Sequence, residues 1–175
     1  MHKALFLDRD GILNVDKGYV YRWEDIIWVK EVFQIIQLAM DRGYLVIVLT
    51  NQSGIHYKKY SKNDVEILHK KMNEFLVDKN LLVNDWFYCA ELESESRKPR
   101  PGMLLEAQIK YDIDLEHSFM IGDKITDVFE TDNKFIRPVT LLVRGQYDLS
   151  NANLSENVRV FESHHEVVLE LKKIL

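Results

Sequence analysis

Ala4-Leu5-Phe6-Leu7-Asp8-Arg9-Asp10-Gly11 is a run of four apolar residues cut off by three charged ones and a glycine. An unbroken apolar run of this length, bounded by a polar turn, is the pattern of a strand buried on both faces. Asp-x-Asp-Gly cannot extend such a strand, because a turn needs exposed polar residues and a backbone free to reverse. Acidic groups therefore stand at the carboxyl end of a buried strand.

The same junction recurs along the chain. Tyr44-Leu-Val-Ile-Val-Leu49 ends at Thr50-Asn51-Gln52-Ser53-Gly54, and Ser118-Phe-Met-Ile-Gly122 runs directly into Asp123. Asp85-Trp-Phe-Tyr-Cys-Ala90, Val139-Thr-Leu-Leu-Val143 and Val158-Arg-Val-Phe161 read as further strands. Between them the apolar period changes to that of helices. Val32, Phe33, Ile35, Ile36 and Ala39 mark a helix over 31–42, with Gly43 as its C-terminal cap. Ser61 with Asp64 forms a capping pattern ahead of Val65, Leu68, Met72, Phe75 and Leu76. Pro101 opens a helix with a stripe of Leu104, Leu105 and Ile109, and a last helix spans 164–174. Strand and helix alternate throughout. This predicts an α/β protein, a Rossmann-like three-layer α/β/α sandwich with a mostly parallel sheet and ligands bound beyond the strands' carboxyl ends.

The 175 residues carry no repeat or linker, so residues 1–175 are read as one domain, able to bury about 70% of the unfolded chain's surface. Only 39 residues separate Asp10 from Thr50 and 47 separate Thr50 from Lys98, each interval already holding a helix and a strand. No large cap domain fits there, domains rarely falling below about 50 residues. The stretch from Trp23 to Trp28 is a candidate partial roof, set against a packing role for its aromatics.

A net charge of −5 lacks the basic footprint of a nucleic-acid binder, so no nucleic acid is expected as partner. No apolar run is long enough for a membrane span, and the N-terminus shows no secretion signal. The single cysteine, Cys89, suits a reducing compartment, and the expected location is cytoplasmic. The oligomeric state is left open.

In a parallel sheet the turns after the strands converge. That gathers Asp8 and Asp10, Thr50 and Asn51, Lys98, and Asp123 and Asp127 in one crevice. Carboxylates so close repel one another, and a hard, oxygen-seeking cation such as magnesium relieves that repulsion. The marks and their order resemble the haloacid dehalogenase-like phosphatases: Asp8-Arg9-Asp10-Gly11, then Thr50, Lys98, and Gly122-Asp123-Lys124-Ile125-Thr126-Asp127. The resemblance implies that Asp8 attacks phosphorus and that Asp10 protonates the leaving oxygen, then activates water. Crowding among carboxylates helps such an acid keep its proton. By the same resemblance Thr50 and Lys98 hold the phosphoryl oxygens. Asp8, the Asp10 carbonyl and Asp123 hold Mg2+, while Asp127 and Lys124 support the site from behind. The substrate implied is a small phosphorylated metabolite.

Asn14-Val-Asp-Lys-Gly-Tyr-Val20, Thr50-Asn-Gln-Ser-Gly-Ile55, Arg97-Lys-Pro-Arg-Pro-Gly-Met103, Ile121-Gly-Asp-Lys124 and Leu142-Val-Arg-Gly145 resemble the heptose-bisphosphate phosphatase and histidinol-phosphatase branch. That branch implies D-glycero-D-manno-heptose 1,7-bisphosphate as the leading substrate, within surface polysaccharide precursor synthesis. Histidinol phosphate, another sugar phosphate, or a non-catalytic binding protein of the same fold are the alternatives. By analogy Asn51, Ser53 and Arg97 bind substrate. The chain departs from the branch in one place: the usual Cys/His zinc loop before Arg97 is replaced by Glu91-Leu-Glu-Ser-Glu-Ser96, with only Cys89 nearby. No zinc is expected there. Glu91, Glu93 and Glu95 read as a solvated face, Cys89 as a small apolar residue, and His56 as loop surface or a substrate contact.

Overall fold

A computed structural model describes residues 1–130, 138–147, 149 and 156–175. Six strands form one sheet: β1 (Ala4–Leu7), β2 (Leu45–Asn51), β3 (Asp85–Cys89), β4 (Phe119–Gly122), β5 (Val139–Val143) and β6 (Val158–Phe161). They lie in the order β3-β2-β1-β4-β5-β6, and every pairing is parallel. The order reverses direction at β1, so the switch point falls between β1 and β4, where an open α/β sheet leaves its ligand crevice.

Alternate residues of each strand serve opposite faces. Leu5, Leu7, Val46, Val48, Ile121, Leu141 and Val143 join a core with α1 (Val32–Asp41), α2 (Lys62–Val77) and α4 (His164–Ile174). Ala4, Phe6, Ile47, Leu49 and Met120 face the other way, onto Met103, Leu104 and Ala107 of α3 (Gly102–Tyr111). The continuous apolar runs are thus explained, since both faces are covered.

The caps follow local chemistry. Ser61 and Asp64 close a reciprocal capping box at the start of α2. Gly43, at φ +72°, takes the left-handed conformation just after α1.

Three details differ from expectation. Ile109 is 84% exposed, and the buried stripe of α3 is Met103, Leu104 and Ala107, because only those positions meet the sheet. Thr50 and Asn51 belong to β2 itself, paired with Tyr88 and Cys89, instead of opening the turn. Trp23 and Trp28 do not roof the crevice: both pack on Phe75 of α2, with ring centroids 5.6 and 5.1 Å away. Among the described residues no helix is long and apolar enough to cross a membrane.

Candidate active site

β1 and β4 are neighbours in register, so the residues that follow them, Asp8 and Asp123, are brought side by side. Both are buried, as is Asp127. Carboxylate oxygens of the three lie within 4.8 Å of one another.

Lys98 reaches this cluster by an indirect route. It does not follow its strand directly, as the sequence suggests, but stands nine residues beyond the end of β3, just ahead of α3. Asn51 places it: the Asn51 side-chain amide donates to the Lys98 carbonyl at 2.9 Å and its oxygen accepts the Lys98 N–H at 3.0 Å. The fully buried ammonium then donates to Asp8 Oδ1 at 2.9 Å and Asp127 Oδ1 at 2.6 Å. Burial works against this charge, but Asp127 and Asp8 outweigh it, so the lysine pKa is raised and the ammonium persists.

Asp127 has both oxygens engaged. Oδ1 takes Lys98, and Oδ2 accepts the N–H groups of Asp123 and Lys124 at 3.1 Å each. It therefore shapes the turn after β4, while Asp8 and Asp123 keep oxygens free to act as ligands. Asp123 Oδ1 is buried with no hydrogen-bond partner. Burial, with Asp8 beside it, pushes the Asp123 carboxyl up to about 8, against the pull of Lys124. Burial likewise raises Asp8 to about 6, with Lys98 opposing. An orphaned buried oxygen among hard carboxylate donors is what a divalent cation of the magnesium type satisfies. The residues present fit that ion.

The turn carrying the Asp10 carbonyl lies against Asp123. Gly11 sits at φ +97°, and a β-carbon built there would fall 2.2 Å from Asp123 Oδ2. Gly11→Ala is therefore expected to cost about 1–2 kcal/mol of stability through backbone strain alone. It should also weaken magnesium binding by at least tenfold, read from the magnesium dependence of the melting temperature.

The metal-free protein should show a reversed pH dependence of stability. The Asp123 carboxyl titrates near 8 when folded and near 3.8 ordinarily, so the folded form keeps a proton that the unfolded chain releases. Stability then falls as pH rises through that window. Melting in EDTA should drop from pH 5 to pH 8.5, and magnesium at 100 times its Kd should return about 2.7 kcal/mol at the upper end. Asp123→Asn should flatten the slope and remove the magnesium response.

Asp10 lines the same chamber as Asp8 but stands outside the group of three carboxylates gathered within 4.8 Å. The buried Arg9 guanidinium holds it through Nη2 at 2.7 Å to Oδ2, Asn14 donates to Oδ1 at 2.9 Å, and Gln52 to Oδ2 at 3.1 Å. Gln52 also donates to Thr50 Oγ1 at 2.9 Å, while Tyr60 donates to Gln52 at 2.7 Å. The chemistry-bearing side chains are thus fixed by neighbours from the sequence that carry no obvious catalytic mark: Arg9, Asn14, Gln52 and Tyr60.

Two chambers meet here. The smaller, of about 220 Å³, is lined by Asp8, Thr50, Lys98, Arg97 and Thr126. The larger, of about 310 Å³, is lined by Asp16, Tyr19, Gln52 and Tyr60. Asp10, Asn51, Ser53, Lys124 and Tyr147 border both. Arg97 Nη1 is buried without a partner in the smaller chamber. Lys124 donates to Asp16 at 3.0 Å. Its pKa is raised because Asp8, Asp123 and Asp16 outweigh the cost of burial.

Other candidates fall outside. His56 is exposed against Tyr57, and Glu91, Glu93 and Glu95 are solvent-facing, pairing loosely with Lys62 and Arg100. Cys89 is buried in the core beside Phe87. Asp16 and Tyr19 lie within the Asn14 to Val20 motif, which by itself gives them no role of their own, and Tyr147 falls outside every motif, because its signal is a contact between loops distant in sequence.

A family model described as polynucleotide kinase 3 phosphatase matches residues 6–160. The chain belongs to this family, among the haloacid dehalogenase-like phosphatases. It is 39% identical over 148 residues to the D-glycero-beta-D-manno-heptose-1,7-bisphosphate 7-phosphatase of Helicobacter pylori, covering 82% of this chain and 86% of that one. It is 39% identical over 127 residues to the D-glycero-alpha-D-manno-heptose-1,7-bisphosphate 7-phosphatase of Campylobacter jejuni, covering 72% and 74%. Among solved structures, the D,D-heptose 1,7-bisphosphate phosphatase of B. bronchiseptica, complexed with magnesium and phosphate, superimposes with a TM-score of 0.84 at 27% identity over 98% of both chains.

Proposed function

We propose that this protein is a magnesium-dependent phosphatase that removes the 7-phosphate of a D-glycero-D-manno-heptose 1,7-bisphosphate through an aspartyl-phosphate on Asp8. The observation that carries the reading is the position of Asp10. Its carboxylate borders both chambers, between the one that holds Asp8, Thr50 and Lys98 and the one open to a polar substrate body. The bridging oxygen of a phosphate monoester has to lie on that boundary.

In the first step an Asp8 carboxylate oxygen forms a bond to phosphorus while the bond from phosphorus to the sugar oxygen breaks. Asp10 gives its proton to the departing oxygen, so the sugar leaves as an alcohol. Thr50 and Lys98 hold the phosphoryl oxygens, with Lys98 fixed in advance by Asn51 and Asp127 so that no reorganisation is needed as charge moves. In the second step Asp10 takes a proton from water, the water oxygen bonds to phosphorus, and the acyl oxygen returns to Asp8 as carboxylate. A cation held by Asp8, Asp123 and the Asp10 carbonyl, when bound, neutralises charge on the transferring group. Asp127 and Lys124 support those ligands from behind. Arg97, Ser53 and the edge of Asn51 face the substrate, and the chain acts as one catalytic unit over residues 1–175.

The heptose assignment is supported by the relatives' identities and coverage. The net charge of −5 disfavours a nucleic-acid end as substrate despite the wording of the family model. Phosphate release from both anomers of the heptose bisphosphate, histidinol phosphate and a 3′-phosphorylated oligonucleotide, with magnesium and with EDTA, tests the reading. A magnesium-dependent preference of roughly 100-fold for one heptose anomer, ~2.7 kcal/mol of transition-state discrimination, is expected. A preference for the oligonucleotide or for histidinol phosphate would overturn the substrate, and no release from any ester would overturn the activity.

A further inference from the structure

The Tyr147 side chain links the loop after β5 to the loop after β1. The Tyr147 hydroxyl donates to Asp16 Oδ2 at 2.9 Å, the oxygen that also accepts Lys124 Nζ at 3.0 Å. Asp16 Oδ1 takes the Gly18 N–H at 2.8 Å. Three loops, after β1, β4 and β5, are thereby tied at the rim of the larger chamber.

With its hydroxyl pinned, Tyr147 still leaves 40% of its surface to solvent. Lys124 sits 4.7 Å from the ring centroid and covers one face. A second aromatic lines the same chamber: Tyr19, 47% exposed, with Lys59 5.6 Å from its centroid. Tyr19 holds φ +51°, a left-handed backbone that a residue with a β-carbon rarely adopts unless its surroundings impose it. Two exposed rings, one anchored through its hydroxyl and one through its backbone, stand in a chamber whose third tyrosine, Tyr60, is buried with its hydroxyl on Gln52 and whose other side chains are polar. No inserted cap covers it among the described residues. A sugar ring is complementary to such a place. Its C–H faces are apolar and pack on aromatic rings, while its hydroxyls project from the rim toward groups such as Ser53 and Lys124.

We propose that Tyr147 is a specificity-determining residue that, with Tyr19, clamps the sugar ring of the substrate, the work a cap domain would otherwise do. The inference rests on the phosphatase reading above and adds to it the element that selects a ring-bearing leaving group. The rival role for Tyr147 is a structural pin acting only through its hydroxyl.

Two substitutions separate these roles. Tyr147→Phe keeps the ring and removes the pin, and Tyr147→Leu removes both. The measured quantity is the ratio of kcat/KM for the heptose 1,7-bisphosphate to kcat/KM for acetyl phosphate, which presents the phosphoryl group without a sugar. Tyr147→Leu should lower that ratio by roughly 30-fold and Tyr147→Phe by less than about 5-fold, the range of a lost apolar pocket contact. Melting temperatures confirm that both variants fold, as the exposure of Tyr147 leads one to expect. An unchanged ratio in Tyr147→Leu, or equal losses in Phe and Leu, would overturn the clamp while wild-type turnover keeps the phosphatase reading intact. Wild-type protein inert toward both substrates would instead overturn the phosphatase reading, and the clamp with it.

Discussion

Asp8→Asn is expected to reduce magnesium-dependent phosphate release by a factor on the order of 10⁵, the scale on which enzymes lose rate when a covalent nucleophile is removed. The amide has the shape of the carboxylate but cannot form the acyl-phosphate, so the reaction falls back on one difficult displacement by water. Stability should move the other way. Burial raises the Asp8 carboxyl to about 6, so above that pH the native protein holds a buried anion it would rather not hold. An amide removes that cost, and Lys98 keeps Asp127 as a charged partner at 2.6 Å. The metal-free variant should therefore melt no lower than the wild type at pH 8. Turnover within tenfold of wild type, in a folded protein with magnesium present, would sink the covalent mechanism.

Lys98→Met is expected to fail in both respects. The ammonium is the shared counter-charge of two buried carboxylates, Asp8 and Asp127. Removing one partner of a buried ion pair leaves uncompensated charge and costs about 3–5 kcal/mol. For a protein of this size that corresponds to a fall in melting temperature of roughly 10 °C. Activity should disappear with it, since Lys98 is the ammonium that hydrogen-bonds Asp8, whereas Lys124, which also borders the smaller chamber, is held by Asp16. The double variant Lys98→Met with Asp127→Asn separates the two effects, because the neutral amide removes one stranded charge. It should regain a large part of the stability and none of the turnover. If Lys98→Met alone melts within about 3 °C of the wild type, the buried charge pair does not have the weight assigned to it.

The fold and the reactive centre are legible in the chain to different depths. Asp8 and Asp123 can be placed by reading, because unbroken apolar runs mark strands buried on both faces and each run ends abruptly at an acid. The parallel direction of the strands follows from alternation with helices, since parallel strands need helical crossovers, whereas their order in the sheet does not. The α2 cap is readable for a similar reason: Ser61 and Asp64 are three residues apart and need no distant partner. Ile109 misleads because helical spacing shows that a face exists without showing how far the sheet beneath it extends.

The supporting contacts are not written in any local pattern. Asn51 borders both chambers, and in addition both ends of its amide hold the backbone of Lys98, 47 positions away, which no local pattern announces. Arg9 looks like the variable member of Asp-x-Asp, yet it is fully buried and grips Asp10. Asp16 and Tyr147 meet across 131 positions. Strand, turn and capping preferences are local, arising from backbone sterics and the burial of adjacent side chains, and so they can be read from short windows. The partner of a buried charge is chosen by the need to satisfy it in a medium of low dielectric. That choice exists only once the sheet has brought the ends of β1, β2, β4 and β5 together.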